Sequence, residues 1–180
     1  MSAANGDYGF RPMTAADMPM ARRWLKTPEV QRWWGDADGQ VSLLEEDLED
    51  PRMSMWIVSH EGRPFAYIQD YDPRSWDMHH LGDLLPGSRG IDQFIGEPDM
   101  LGRGHGSALI RAHVERLFAA GAPAVGTDPD PENARAIRAY EKAGFRPVGI
   151  TRQSARHDDG TWRDELLMDR VEGAGAGRED

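Results

Sequence analysis

Apolar positions along this chain switch repeatedly between the two-residue period of a strand and the 3.6-residue period of a helix. Residues 7–12 carry the alternation of a first strand. Thr14, followed three positions later by Asp17, marks a helix start, and the segment it opens runs to about Leu25. Pro28 opens a second, short helix that ends in Trp33, Trp34 and Gly35, and an acidic helix covers Val41 to Glu49. MSMWIVSH, the turn EGRP and FAYIQDY then predict a hairpin, with Trp56, Ile57 and Val58 set against Phe65, Tyr67 and Ile68.

The stretch Asp72 to Ser88 has no period and holds Trp76, Asp77, His79, His80 and Pro86; an irregular segment of that length invites a functional role. Arg89 to Gly96 is the next strand. In LGRGHGSALIRAHVERLF, Leu101 to Phe118, three alternating glycines lead into a helix. Its Leu109, Ile110, His113, Val114, Leu117 and Phe118 form one mostly apolar stripe, which makes His113 a core histidine with satisfied partners. APAVGTD reads as a buried strand. Asp130 caps a helix that begins at Pro131 and extends to about Ala143, Gly144 ends it, and strands at 145–153 and 162–171 close the chain. With no repeat and no linker, the pattern predicts one mixed α/β domain over 7–171 and a disordered tail at 172–180.

Composition narrows the classes. The 180 residues suit a single core, and 39% hydrophobic with 29% charged content is that of a soluble globular protein. No apolar run reaches membrane-spanning length and the first residues lack a signal-peptide pattern, so a cytoplasmic protein without membrane contact is expected. The absence of cysteine removes disulfides, thiolate nucleophiles and thiolate metal sites. Thirty-one acidic against 21 basic residues give a net charge of -10, which argues against nucleic-acid partners and suits either solubility or an acidic cleft for a cation. The six histidines are scattered without metal-ligand spacing, so no metal is expected, and no nucleophile elbow surrounds Ser107.

Gly102, Gly104 and Gly106 stand where glycine lets a backbone approach a ligand and leaves the N–H groups of a helix start available to an anion. Their spacing fits neither the dinucleotide fingerprint nor a Walker loop. Plain loop chemistry and phosphate binding both remain open from the glycines alone.

Three segments together resemble the Gcn5-related N-acetyltransferase superfamily: the strand RGIDQFIG, the loop and helix LGRGHGSAL, and TDPDPENARAIRAYEKAGF. WWG at 33–35, GRPFAYIQDY at 62–71 and RGIDQ at 89–93 extend the resemblance to the aminoglycoside 6'-N-acetyltransferases of the Ib type, over roughly residues 8 to 150. The resemblance implies a single acyl-CoA N-acyltransferase domain, of α/β (α+β) class, with a central mixed, mostly antiparallel twisted sheet flanked by helices. It implies acetyl-CoA as the acyl donor and a small polycationic amine as the acceptor, in a monomer or homodimer. Leu101 departs from the family pattern, which often has Gln or Arg there.

Under that resemblance Leu101, Gly102, Arg103, Gly104, His105, Gly106 and Ser107 cradle the donor's diphosphate, and Asn133, Ala136 and Tyr140 supply further donor contacts. Asp92 becomes the base and ammonium holder, and Tyr140 the acid that protonates the leaving thiolate. Asp92 paired with Arg89 is the structural alternative. Trp34, Gln69, Tyr71, Asp77, Asp92 and Asp128 face the acceptor; Asp77 enters by its place fifteen positions before Asp92. Two other readings stay open, a siderophore-type lysine or hydroxylysine N-acyltransferase and a non-catalytic coenzyme A-binding module. Asp92 argues against the first, whose relatives tend to carry His there.

Overall fold

A seven-stranded sheet organises the residues described by the computed structural model, 8–76, 80–156 and 160–174. Its strands are β1 (Tyr8–Pro12), β2 (Met53–His60), β3 (Arg63–Tyr71), β4 (Arg89–Ile95), β5 (Ala124–Thr127), β6 (Arg146–Arg156) and β7 (Trp162–Val171), in the order β1-β2-β3-β4-β5-β7-β6. Every pairing is antiparallel except β4 with β5. Helices α1 (Met18–Leu25), α2 (Pro28–Trp34) and α3 (Ala37–Glu49) cover one face; α4 (His105–Ala119) and α5 (Ala134–Lys142) cover the other. Asp77 and the tail beyond residue 174 lie outside the described residues. Among those described, no helix is long and apolar enough to cross a membrane.

Side-chain alternation divides the core in two. Ile68 and Ile91 point toward Leu109, Ile110 and Val114 of α4, whereas Tyr67 and Phe94 point toward Trp24, Val30 and Val41 of α1–α3. The β2–β3 hairpin turns on Glu61 and Gly62, both at positive φ (50 and 80), so the turn is two residues long and β3 already begins at Arg63.

Three helix starts differ from the pattern-based boundaries. Thr14 and Asp17 enclose a 3-10 turn, Ala15–Asp17, with Asp17 Oδ2 accepting from Thr14 N–H at 2.9 Å, and α1 begins after it at Met18. α3 begins four residues early because the Asp36 carboxylate caps it, accepting from Gly39 N–H at 2.9 Å. α5 begins at Ala134, not Pro131, because its cap is Asn133, whose Oδ1 accepts from Ala136 N–H at 3.1 Å. Asp130 spends its carboxylate on a tight turn to Glu132 N–H at 2.8 Å.

His113 is buried as its stripe position requires. Its Nε2 meets Asp70 at 3.0 Å and its Nδ1 meets Arg116 at 3.1 Å. Asp70 also accepts from Trp56 Nε1 at 2.9 Å and from Arg89 at 2.6 Å. Burial pushes the Asp70 carboxyl up, but the His113, Trp56 and Arg89 contacts outweigh it and hold it below the ordinary value. Arg89 is therefore committed to Asp70, leaving Asp92 to other partners.

Candidate active site

The parallel pair β4–β5 stays in register only at Arg89/Val125 and Gly90/Gly126. Beyond that point the two strands part, and Thr127 Oγ1 reaches across to the Ile91 carbonyl at 3.0 Å. A parting of neighbouring parallel strands leaves backbone N–H and C=O groups without a ladder partner, facing a gap that a ligand can enter. Two cavities meet at this gap.

The first, about 390 Å³, runs between α2, the end of β4, the start of α4 and one side of α5. Leu101, Gly102, Gly104, Gly106 and Ser107 line it, with Asn133 and Ala136 on the facing helix. Gly102 and Gly104 sit at φ 69 and 86, a left-handed backbone that other residues reach only with strain. Gly104 caps α4 with no side chain, so the first N–H groups of the helix keep their hydrogen-bonding capacity and the positive end of the dipole opens into the cavity. Arg103 is exposed and reaches back to the Asp99 carbonyl at 3.4 Å. The His105 ring turns away, with Tyr8 Oη at 2.8 Å from its Nδ1 and the His60 ring 4.6 Å off; neither side chain lines the cavity.

The second cavity, about 280 Å³, is acidic. Asp92, Asp128, Asp130, Asp164 and Glu165 all line it. Arg163 holds Asp130 at 3.5 Å and Arg152 holds Asp164 at 2.7 Å. Trp33 and Trp34 form a wall common to both cavities, Trp34 standing edge-on to Phe94 at 5.0 Å.

Asp92 stands half-buried at the junction, directly opposite Gln69 in the β3–β4 register. Gln69 Nε2 donates to Asp92 Oδ2 at 3.0 Å, and Tyr67 Oη donates to Gln69 Oε1 at 2.6 Å, fixing which way the amide faces. The Tyr71 hydroxyl also bonds Asp92, its ring lying against the bare α-carbon of Gly90, where an added Cβ would come within 2.5 Å. Gln69 and Tyr71 thus support Asp92 from behind; neither lines the acidic cavity. Burial, then the charges of Asp128 and Glu165, raise the Asp92 carboxyl to about 7 against the pull of Gln69 and Tyr71.

Tyr140, on α5, is buried against Phe145 and reaches the cavity from the other face of the sheet, beside Thr127 and Gln93. Burial and the nearby carboxylates raise its hydroxyl above the ordinary phenol value, so it stays protonated. Sequence reasoning missed Gln93, Asp164 and Glu165. Gln93 lines both cavities, and its buried Oε1 has no hydrogen-bond partner among the described residues, leaving it ready for a ligand N–H.

Residues 13–152 match the acetyltransferase (GNAT) domain model, well over half the chain. The chain belongs to that family. It is an acetyltransferase. The aminoglycoside N(6')-acetyltransferase type 1 of Klebsiella pneumoniae is 37% identical over 155 residues, 81% of this chain and 77% of the relative. Among solved structures, AAC(6')-Ib in complex with ribostamycin and coenzyme A superposes with a TM-score of 0.80 at 32% identity, over 96% of this chain and 98% of the other. The same kind of enzyme with coenzyme A and kanamycin gives a TM-score of 0.74 at 32% identity, over 92% and 95%.

Proposed function

We propose that this acetyltransferase moves the acetyl group of acetyl-coenzyme A to the 6'-amine of an aminoglycoside, and so confers resistance to such antibiotics. The observation that carries the reading is the junction itself. A groove suited to an anion and a cleft suited to a cation meet where Asp92 and Tyr140 arrive from opposite faces of one sheet.

The residues of the groove fit the donor. The start of α4 offers N–H groups and positive dipole to a diphosphate, and Gln93 offers a buried carbonyl to an amide N–H. The donor supplies a thioester whose acyl carbon is open to attack by an amine. In the cleft, Asp128 and Glu165 attract an ammonium toward Asp92, and Trp34 offers a flat face to a sugar ring. The relatives that bind ribostamycin and kanamycin support this acceptor class.

Acyl transfer needs an amine without its extra proton. Asp92, raised to about 7, accepts that proton near neutral pH, directly or through water, while Gln69 and Tyr71 keep the carboxylate aimed. The C–N bond forms as the C–S bond breaks, and Tyr140 gives its proton to the departing sulfur. The Tyr140 hydroxyl carries that proton at neutral pH, its affinity lying above the ordinary phenol value.

Thiol release in the presence of acetyl-coenzyme A and an aminoglycoside tests the proposal. Asp92→Asn and Tyr140→Phe should each lower kcat/KM by roughly 10²- to 10⁴-fold. Near-normal turnover in both variants sinks the assigned roles, and absence of turnover on aminoglycosides in the unaltered chain sinks the acceptor.

A further inference from the structure

On the α1–α3 side of the sheet a buried polar chain ends at Asp92. It starts at Tyr67, only 1% exposed, whose ring stacks on Phe94 at 5.2 Å and is met edge-on by Trp34 at 6.2 Å. Side chains two apart on a strand share a face, so the Tyr67 hydroxyl lies alongside Gln69. Its bond to Gln69 Oε1, at 2.6 Å, is the one hydrogen bond it makes among the described residues. Gln69 passes the contact on, giving Nε2 to Asp92 Oδ2 at 3.0 Å across the β3–β4 register.

A glutamine amide turns about a soft terminal torsion, and its two ends differ in which atom carries hydrogen. An ionised Asp92 selects Nε2 whatever else surrounds the amide. A protonated Asp92 is less selective, because its O–H pairs equally well with Oε1, and that contact stabilises the acid form. Turning the amide over would take Oε1 from Tyr67 and leave the phenol proton without an acceptor in a buried site. Burial, then the charges of Asp47 on α3, Asp92 and Asp70, raise the Tyr67 hydroxyl well above the ordinary phenol value, so it keeps its proton and stays a donor.

We propose that Tyr67 is a positioning residue for the acetyl transfer: by holding Gln69 Oε1 it bars the amide from turning over, so Asp92 meets an N–H in both of its protonation states. The catalytic consequence rests on Asp92 being the base. The other groups facing Asp92 are untouched by a change at Tyr67. Asp128 after β5 and Glu165 of β7 oppose its ionisation, Tyr71 of β3 favours it, and Tyr140 approaches from α5. Against that fixed background, freeing the amide tips Asp92 toward its acid form.

Tyr67→Phe keeps the ring, and with it the packing on Phe94 and Trp34, while releasing the amide. Carbon-13 NMR of the aspartate carboxyls in the full chain, without substrates, follows the titration directly once the Asp92 signal is assigned by its loss in Asp92→Asn. The midpoint should rise by about half to one pH unit in Tyr67→Phe, and the break in kcat/KM near 7 should move up with it. In a Gln69→Leu background no amide remains to turn, so adding Tyr67→Phe should leave the midpoint where Gln69→Leu alone puts it. A midpoint that stays or falls in Tyr67→Phe overturns the inference, as does an equal rise in the Gln69→Leu background. A midpoint that rises while kcat/KM of the unaltered enzyme shows no break near 7 upholds the lock on the amide and refutes Asp92 as the base.

Discussion

Replacing Asp92 by Asn should cost activity and add stability, and both magnitudes follow from its position. The folded chain raises this carboxyl from 3.8 to about 7, chiefly through burial and secondly through Asp128. Folding thus increases its proton affinity, so the stability it contributes is fully present below the unfolded value and is lost as pH rises through the folded one. The gap is roughly three pH units, a ceiling of about 4 kcal/mol at 1.36 kcal/mol per unit. Asp92 opens onto the cleft on one side, and solvent there screens part of the penalty; about half the ceiling is the working figure. Asparagine keeps the shape and can still accept from Gln69 without ever becoming charged. Urea unfolding at pH 5 and pH 8 should show the stability advantage of Asp92→Asn growing by roughly 1–2 kcal/mol between them. In parallel, kcat/KM of the unaltered enzyme should show a break near 7, below which it falls more steeply, and in the variant that break should vanish, leaving only the dependence set by ionisation of the acceptor amine itself. An advantage equal at both pH values, or a break near 7 that persists in the variant, refutes the picture of a carboxylate held at high energy for proton transfer.

Gly104→Ala should destabilise the fold by about 1–2 kcal/mol, since φ 86 is left-handed and no neighbouring atom lies within 4 Å of an added Cβ. Thermal melting reads that cost, and calorimetry should show weaker donor binding because the α4 start shifts with it. His113→Ala leaves Asp70 with Trp56 and Arg89 but opens a cavity and removes a buried bond, for an expected loss of about 3 kcal/mol in urea unfolding. His113 lies under the sheet and outside both cavities, so KM for donor and acceptor should stay unchanged.

What the sequence shows and what it hides divide along local and nonlocal lines. The hairpin, the α4 stripe and the glycine loop are legible because a few neighbouring residues determine each of them. The start of α5 is ambiguous locally: Asp130 and Asn133 both have capping chemistry, and only the fold decides that Asn133 caps while Asp130 makes the turn. The apolar pattern that begins at Val41 carries no sign of the extra first turn of α3, which forms because Asp36 caps at Gly39 N–H. Asp164 and Glu165 give no local signal at all. They reach the cleft because the first half of β7 projects past the end of β5, with Leu166 N–H bonding the Pro129 carbonyl at 2.9 Å, before β7 pairs with β5 from Met168/Thr127 onward. Asp92 stands out only through a resemblance, since its raised proton affinity comes from burial in the folded chain and from Asp128, which follows β5. Arg103 and His105 share the loop with the glycines, yet their side chains leave it.

The two cavities pose an electrostatic problem that the fold resolves by geometry. A polyanionic donor and a polycationic acceptor must lie within bonding distance at one point, without the acidic cleft repelling the donor or the cationic groove repelling the acceptor. The residues lining both cavities are Trp33, Trp34, Gln93, Asn133 and Ala136, none of them charged. The cations of α5 and the carboxylates of β5–β7 are thereby set on opposite sides of a neutral wall. Screening at physiological ionic strength falls off over about 8 Å, so each ligand senses chiefly its own cavity. Only the reacting ends meet at the gap, and there a carboxyl near 7 can stand protonated, which lowers its repulsion of the donor until the acceptor arrives. An approaching ammonium then favours the ionised form and restores the base at the moment it is needed. Charge at the junction is therefore set by the acceptor, which makes Asp92 a group whose ionisation should follow occupancy of the cleft.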